Sequence, residues 1–199
     1  MRFSFRIWCM LCISALIGSC FMGSSILFLE NDAVKKPNLL QNPGFELLPG
    51  SFNGIPKGWM VIGTSEDYVG KVTSDGSVTI NGSNSIKVQG TRKSVMIISD
   101  PFNIDRYGGY FAKLSALSTE ETGPKVRLRV YAYSANGKLR NTFSSTIRTS
   151  TTWKKATLSA GLLRSNVRYG RIVLIVPATK EGAVWLDGVA CYEAHRFNR

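Results

Sequence analysis

One short run of this chain carries an unusual pattern of functional groups. Arg127, Arg129, Tyr131 and Tyr133 alternate with Val126, Leu128, Val130 and Ala132. Side chains alternate faces along a strand, so such a run has one apolar face and one face of guanidinium and phenol. A guanidinium fork matches carboxylate or phosphate geometry, and a tyrosine ring offers a flat apolar face with a hydroxyl at its edge. That pairing suits recognition of a polar, ring-built or anionic ligand. Tyr169 and Arg171 share a parity in the apolar run at 168–176, and Tyr107 and Tyr110 lie in a Gly-rich stretch expected to form a rim. Gln89 and Arg92 are weaker candidates. The competing explanation makes the arginines a solvated sheet surface and the tyrosines cross-strand packing.

Residues suited to bond-making chemistry are sparse. Glycoside hydrolysis generally needs two carboxyl groups set about 5–10 Å apart across a cleft. Here the acids fall near turns, at Glu66-Asp67, Asp75, Glu120-Glu121 and Glu181, and no pair shares an open strand face. The single histidine, His195, lies beyond the last expected strand, where it lacks a positioned partner. There is no Gly-x-Ser-x-Gly, phosphate loop or zinc-spaced cluster. The expectation is a protein that binds rather than transforms.

The elements that must position these groups read as strands. From Asn38 onward no long segment has apolar residues at a spacing of 3.6. Short β-rich runs alternate with turn signals instead. Runs at residues 77–80 and 85–88 flank Asn81-Gly82-Ser83-Asn84 and are expected to pair as a hairpin. Further strands are expected at 94–98, 110–118, 125–133, 139–147, 152–159, 168–176 and 183–192. Roughly ten short strands at this spacing give an all-β fold: a sandwich or jelly roll of two antiparallel sheets.

The chain has 199 residues, enough for one domain of about 38–194 preceded by a leader. Residues 195–199 are expected to form a basic tail. Arg2 and Arg6 precede a run from Ile7 to Leu29 without a charge. That run is longer than an ordinary secretory core and close to the roughly 20 residues that span a bilayer. It is read as a signal-anchor over residues 1–29, or a signal peptide if cleaved. Ile17-Gly18-Ser19-Cys20 offers a lipoprotein-like alternative, and residues 30–37 are expected to be a linker. Either way the domain would lie outside the cytoplasm, on the membrane or secreted. Three of four cysteines fall in the leader and only Cys191 lies in the body, so no disulfide framework is expected there.

Net charge is +12, and setting aside Arg2 and Arg6 leaves 23 basic against 13 acidic residues. Such a surface draws polyanions. The basic residues are scattered and form no block, which disfavours a nucleic-acid partner, because that favours a concentrated stripe.

Several motifs carry a family likeness. Asn38-Leu-Leu-Gln-Asn-Pro-Gly-Phe-Glu46 opens the domain, followed by Ile55-Pro-Lys-Gly-Trp59, Gly82-Ser-Asn-Ser-Ile-Lys-Val88 and Ser99-Asp-Pro-Phe-Asn-Ile104. Later come Thr151-Thr-Trp-Lys154 and Gly182-Ala-Val-Trp-Leu-Asp-Gly-Val189. In this order they resemble the carbohydrate-binding modules of the galactose-binding-like β-jelly-roll class, the type attached to xylanases and glucanases, over about residues 38–193. The resemblance implies a concave sheet whose open face is the sugar cleft, with Arg127, Arg129, Tyr131 and Tyr133 pointing into it. Trp59, Trp153 and Trp185 would be scaffold residues. It also implies a structural calcium ion where the opening and closing motifs meet, with Glu46 and Asp187 as ligands. The family often has two acids in the closing motif, whereas this chain has Asp187-Gly188. Glu46 and Asp187 could equally serve only to accept backbone N–H groups.

The function expected is non-catalytic binding of a polysaccharide or anionic surface glycan. The alternatives are an envelope assembly protein that uses the same sheet against another protein, and a polyanion-attachment module driven by net charge.

Overall fold

A computed structural model describes residue 28 and residues 30–52, 54–63 and 68–198. The leader and the readings placed on it lie outside the described residues.

Among the described residues eleven strands form two antiparallel sheets that face one another. The first contains β1 (Trp59–Ile62), β4 (Val95–Ser99), β10 (Val167–Val176), β7 (Lys125–Ser134) and β8 (Leu139–Arg148), in that order, with the short β5 (Phe102–Asn103) also paired to β10. The second runs β2 (Val72–Asp75), β3 (Ser85–Gln89), β11 (Ala183–Arg196), β6 (Gly108–Ser118) and β9 (Lys154–Ala160). The alternation that predicts these strands also predicts their inner faces. On β7, Val126, Leu128, Val130 and Ala132 are buried. They meet Ile172, Leu174 and Val176 of β10 and, from the opposite sheet, Leu114, Ile86 and Leu186 in one apolar core. Burying each such side chain contributes about 1.5–3 kcal/mol, the term that drives two half-apolar sheets together.

Three expectations need correction. The hairpin around residues 81–84 is wider than expected: its first arm is β2 at Val72–Asp75, paired to β3, and residues 77–80 form no strand. The amides of Ser77, Ile80 and Asn81 bond to the carboxylates of Asp75 and Asp187, which removes them from any ladder. The segment 30–37 is no free linker. It begins with a helical turn, α1 (Glu30–Ala33), with Ala33 buried and Glu30 paired to Lys113 and Lys155. The expected basic tail starts too early, because β11 runs on through Arg196, pairing His195 with Gly109 and Arg196 with Gly108.

Candidate functional site

The outward face of the first sheet gathers the residues singled out on β7. In register, Arg127 lies beside Ile175 and Thr146, Arg129 beside Val173 and Ser144, Tyr131 beside Arg171 and Thr142, and Tyr133 beside Tyr169. Val173 also lies beside Ile98 of β4, which lies beside Met60 of β1. The face is therefore graded across its strands. Met60, Ile62, Met96 and Ile98 make a thioether and aliphatic flank, arginines and tyrosines occupy the middle, and Thr142, Ser144 and Thr146 supply a row of hydroxyls on β8. Val173 and Ile98 are buried although they belong to this outward face and not to the inter-sheet core. They form a low apolar floor among longer side chains.

The aromatic groups here are organised. Tyr133 and Tyr169 stack with centroids 5.1 Å apart and planes 12° from parallel, and Tyr131 meets Tyr133 edge-on at 6.2 Å. Each ring of the stacked pair uses one face on its partner, and Tyr131 meets the Tyr133 ring as well. Tyr131, Tyr133 and Tyr169 are half-buried. Burial raises the Tyr133 hydroxyl above its ordinary pKa, so it stays a neutral donor at physiological pH. The arginines are tethered: Arg129 Nη1 donates to Tyr131 Oη at 2.7 Å, and Arg171 Nη1 donates to the Ser99 carbonyl at 2.8 Å. Arg129 Nε is buried without an acceptor. Tethering lowers the side-chain entropy lost on binding. Tyr169 and Arg171 are full members of this cluster, although their apolar run left them unassigned from sequence. Their shared parity was the available signal.

Tyr107 and Tyr110 go elsewhere. Tyr110 is not at a rim. Its ring is buried in the core, its hydroxyl accepts the Asp105 N–H at 3.0 Å, and burial pushes its pKa up to about 12. It sits on an inward position of β6, and the Gly-Gly before it is already part of that strand. Tyr107 is half-buried beneath the Arg106 guanidinium, 4.8 Å from the ring centroid, and its carbonyl accepts the Phe197 N–H. It therefore packs with the end of β11 rather than with the β7 tyrosines.

The tryptophans divide three ways. Trp59 is buried against Phe45 at 4.7 Å and donates Nε1–H to the Asn42 carbonyl at 2.9 Å. Trp153 is half-buried before β9. Trp185 is buried but lies on the outward face of the second sheet, since its neighbours in register are Lys87 and Leu117 while Leu186 faces the core. Its Nε1–H donates to Asp75 Oδ2 at 3.0 Å, and Lys87 Nζ lies 5.4 Å from the ring centroid.

Glu46 and Asp187 do converge, on the loop at residues 80–84. Asp187 Oδ2 accepts the N–H groups of Ile80 at 2.7 Å and Asn81 at 3.0 Å, and Oδ1 accepts that of Gly188 at 2.6 Å. Glu46 Oε1 accepts the Ser83 N–H and Oε2 the Asn84 side-chain amide, both at 2.8 Å. These bonds hold the Glu46 carboxyl below its ordinary pKa, the Ser83 N–H contributing most; burial raises that of Asp187. Gly82, at φ 73°, has no room for a β-carbon beside Glu46. Gly188 adopts φ 59°, which accounts for glycine where the family often has a second acid. Calcium takes six to eight oxygens. Here two carboxylates meet, each of their four oxygens already accepts an N–H, and no third Asp, Glu, His or Cys joins them among the described residues. The arrangement forms a clasp that satisfies the amides of a loop.

Comparison with solved structures identifies the fold. The chain superposes on a family 61 carbohydrate-binding module complexed with β-1,4-galactotriose, with TM-score 0.57 and 19% identity over 79% of this chain and 99% of that one. It also matches a family 16 carbohydrate-binding module, with TM-score 0.56 and 16% identity over 78% of this chain and all of that one. A Clostridium thermocellum xylanase 10B fragment with family 22 binding and catalytic modules, complexed with xylohexaose, gives TM-score 0.56 at 11% identity, this chain covering 30% of it. A Fischerella Stig cyclase bound to an indole compound matches as well, at TM-score 0.58 and 14% identity over 82% of this chain and 98% of that one. No family model and no curated protein matches the sequence. The architecture is thus the β-sandwich jelly roll of carbohydrate-binding modules, a fold that also carries other chemistry.

Proposed function

We propose that this domain binds a polysaccharide or surface glycan without transforming it, along the outward face of the first sheet. The observation that carries the reading is the stacked Tyr133–Tyr169 pair standing beside Tyr131, Arg129 and Arg171 on an outward face. Pyranose rings have apolar C–H faces that lie against aromatic rings, while their hydroxyls take hydrogen bonds from fixed polar groups. The half-exposed rings of Tyr133 and Tyr169 supply the first need. The tethered guanidiniums and the Thr142, Ser144 and Thr146 hydroxyls supply the second. Solved modules of the same fold hold β-1,4-galactotriose and xylohexaose, which supports a β-linked glycan as the class. On this reading the apolar N-terminal segment exports the domain or anchors it outside the cytoplasm, where such polymers occur.

The test is affinity electrophoresis of the chain through gels containing soluble β-galactan, xylan or β-glucan. Wild type is expected to be retarded by at least one polymer, and Tyr133→Ala/Tyr169→Ala to migrate as in a blank gel. Retardation unchanged in the double variant would refute the platform. Failure of wild type on every polymer, with a stoichiometric protein captured through the same face, would favour the assembly role.

A further inference from the structure

A second cluster of cations lies at the end of this sheet, around a cavity of about 420 Å³ lined by Lys138, Arg140, Arg168, Asn136 and Asn166 together with hairpin residues 134–135. The cavity forms where the β7–β8 hairpin meets the loop before β10. The Arg164 amide bonds to Asn141 Oδ1 at 3.0 Å and holds that loop against β8. Three positive side chains line the cavity and no carboxylate does. Among the described residues the ion pairs fall elsewhere, on Lys35, Lys87, Lys113, Lys155 and Arg196. Arg140 Nε is buried without an acceptor. Asn136 Oδ1 is turned inward to accept from Ser134 Oγ at 2.7 Å, which leaves its amino group as an outward donor.

Uncompensated guanidiniums beside neutral donors, in a concave setting, make a receptor for an oxyanion. Arginine presents paired N–H groups to carboxylate or sulfate oxygens, and such charge-assisted bonds are stronger than neutral ones. The cavity adjoins the tyrosine platform. Tyr133 directly precedes its wall residue Ser134, and Tyr169 directly follows Arg168. The Tyr169 hydroxyl lies 3.8 Å from where a β-carbon on Gly137, in the same hairpin turn, would stand.

We propose that this cavity takes the anionic substituent, uronate carboxylate or sulfate ester, of an acidic glycan whose neighbouring sugar lies on Tyr133 and Tyr169. The proposal rests on the glycan-binding reading and adds a selectivity pocket to it. A chain that threads from ring faces to cations is discriminated from its neutral counterpart by its charge at one position. Net positive charge alone would discriminate equally from every part of the surface.

The full-length chain is titrated against polygalacturonate, a sulfated galactan and neutral β-galactan by affinity electrophoresis at fixed ionic strength. At least one acidic polymer is expected to bind about tenfold tighter than neutral galactan, the gain of one well-made charge-assisted contact. Which acidic polymer prevails separates carboxylate from sulfate. Lys138→Gln/Arg168→Gln, both at exposed positions, and separately Arg140→Gln are expected to abolish that preference while neutral retardation persists. Lys36→Gln/Lys154→Gln removes the same charge from other exposed positions and is expected to keep it. Equal losses in the cavity and control variants, or a preference indifferent to all of them, overturn the proposal and leave the platform reading standing. If no polymer retards wild type, the platform reading falls. The cavity is then judged by galacturonic acid monosaccharide: saturable amide shifts at Asn136 and Lys138, lost in Lys138→Gln/Arg168→Gln, support it, and their absence overturns it.

Discussion

The two outward faces of this sandwich treat aromatic residues in opposite ways. On the second sheet Trp185 is closed over: it is 8% exposed, its N–H is held by Asp75, and Lys87 lies across its ring. Every donor it has is satisfied, and both charged neighbours also pair with one another at 3.9 Å. On the first sheet Tyr131, Tyr133 and Tyr169 are only half-buried, and the arginines beside them are tethered to a phenol and a carbonyl rather than to a carboxylate. The positive charge of that face is left without a counter-ion of its own. An aromatic on an outward sheet face is therefore not by itself a binding residue. What distinguishes a platform from a patch of surface packing is whether neighbouring groups spend their hydrogen bonds and charge on the ring or leave them for a visitor.

Mutations can break this contrast. Trp185→Ala is expected to have the largest structural effect, a loss of about 3–5 kcal/mol in urea unfolding. The molecules that remain folded should keep their glycan retardation. Tyr133→Ala/Tyr169→Ala should show the reverse. It is expected to cost about 1–2 kcal/mol of stability, the scale of a cross-strand aromatic pair, while retardation is lost. If both substitutions alter binding alike, the distinction between closed and open faces fails.

Smaller effects sharpen it. Asp75→Asn is expected to destabilise by about 1 kcal/mol, measured as a lower melting temperature at neutral pH. The Asp75 carboxyl is held below its ordinary pKa of 3.8 first by the Ser77 hydroxyl and then by the Trp185 N–H. A carboxyl with a depressed folded pKa contributes stability that is fully present above its unfolded value and is lost as pH falls through the folded one. Wild type should therefore lose stability on acidification below about pH 4 more steeply than Asp75→Asn. Glu30, lowered chiefly by its bond to Lys155, adds a limb of the same sign. As an ion pair near the surface it contributes little, and Glu30→Gln is expected to cost about 0.5 kcal/mol or less. The smallest expected effect is none: EDTA followed by excess calcium should leave the melting temperature unchanged, because the Glu46 and Asp187 oxygens are already occupied by N–H donors. A rise of several degrees with calcium would reinstate the ion.

Much of the fold was legible in the chain because strand periodicity is local. Val126 to Ala132 alternate so regularly that both faces of β7 could be assigned before any neighbour was known. The long strands from residue 108 onward followed from the same reasoning. Legibility failed where a side chain from far away sets the backbone. Residues 77–80 look like a strand, yet Asp187, more than a hundred positions later, takes the amides of Ile80 and Asn81 into a loop. Tyr110 looks like a rim residue after two glycines, yet β6 starts at Gly108 and turns the ring inward.

The sequence alone determined that this chain builds an all-β sandwich and that one strand presents arginine and tyrosine on the side away from the core, because a period of two is written into neighbouring residues. Only the tertiary structure decided which strands lie beside it. Register placed Tyr169 against Tyr133 and Arg171 against Tyr131, and brought Lys138, Arg140 and Arg168 to one cavity. Those pairings depend on hydrogen-bonded alignment between segments some thirty to forty residues apart, and no local spacing encodes that alignment.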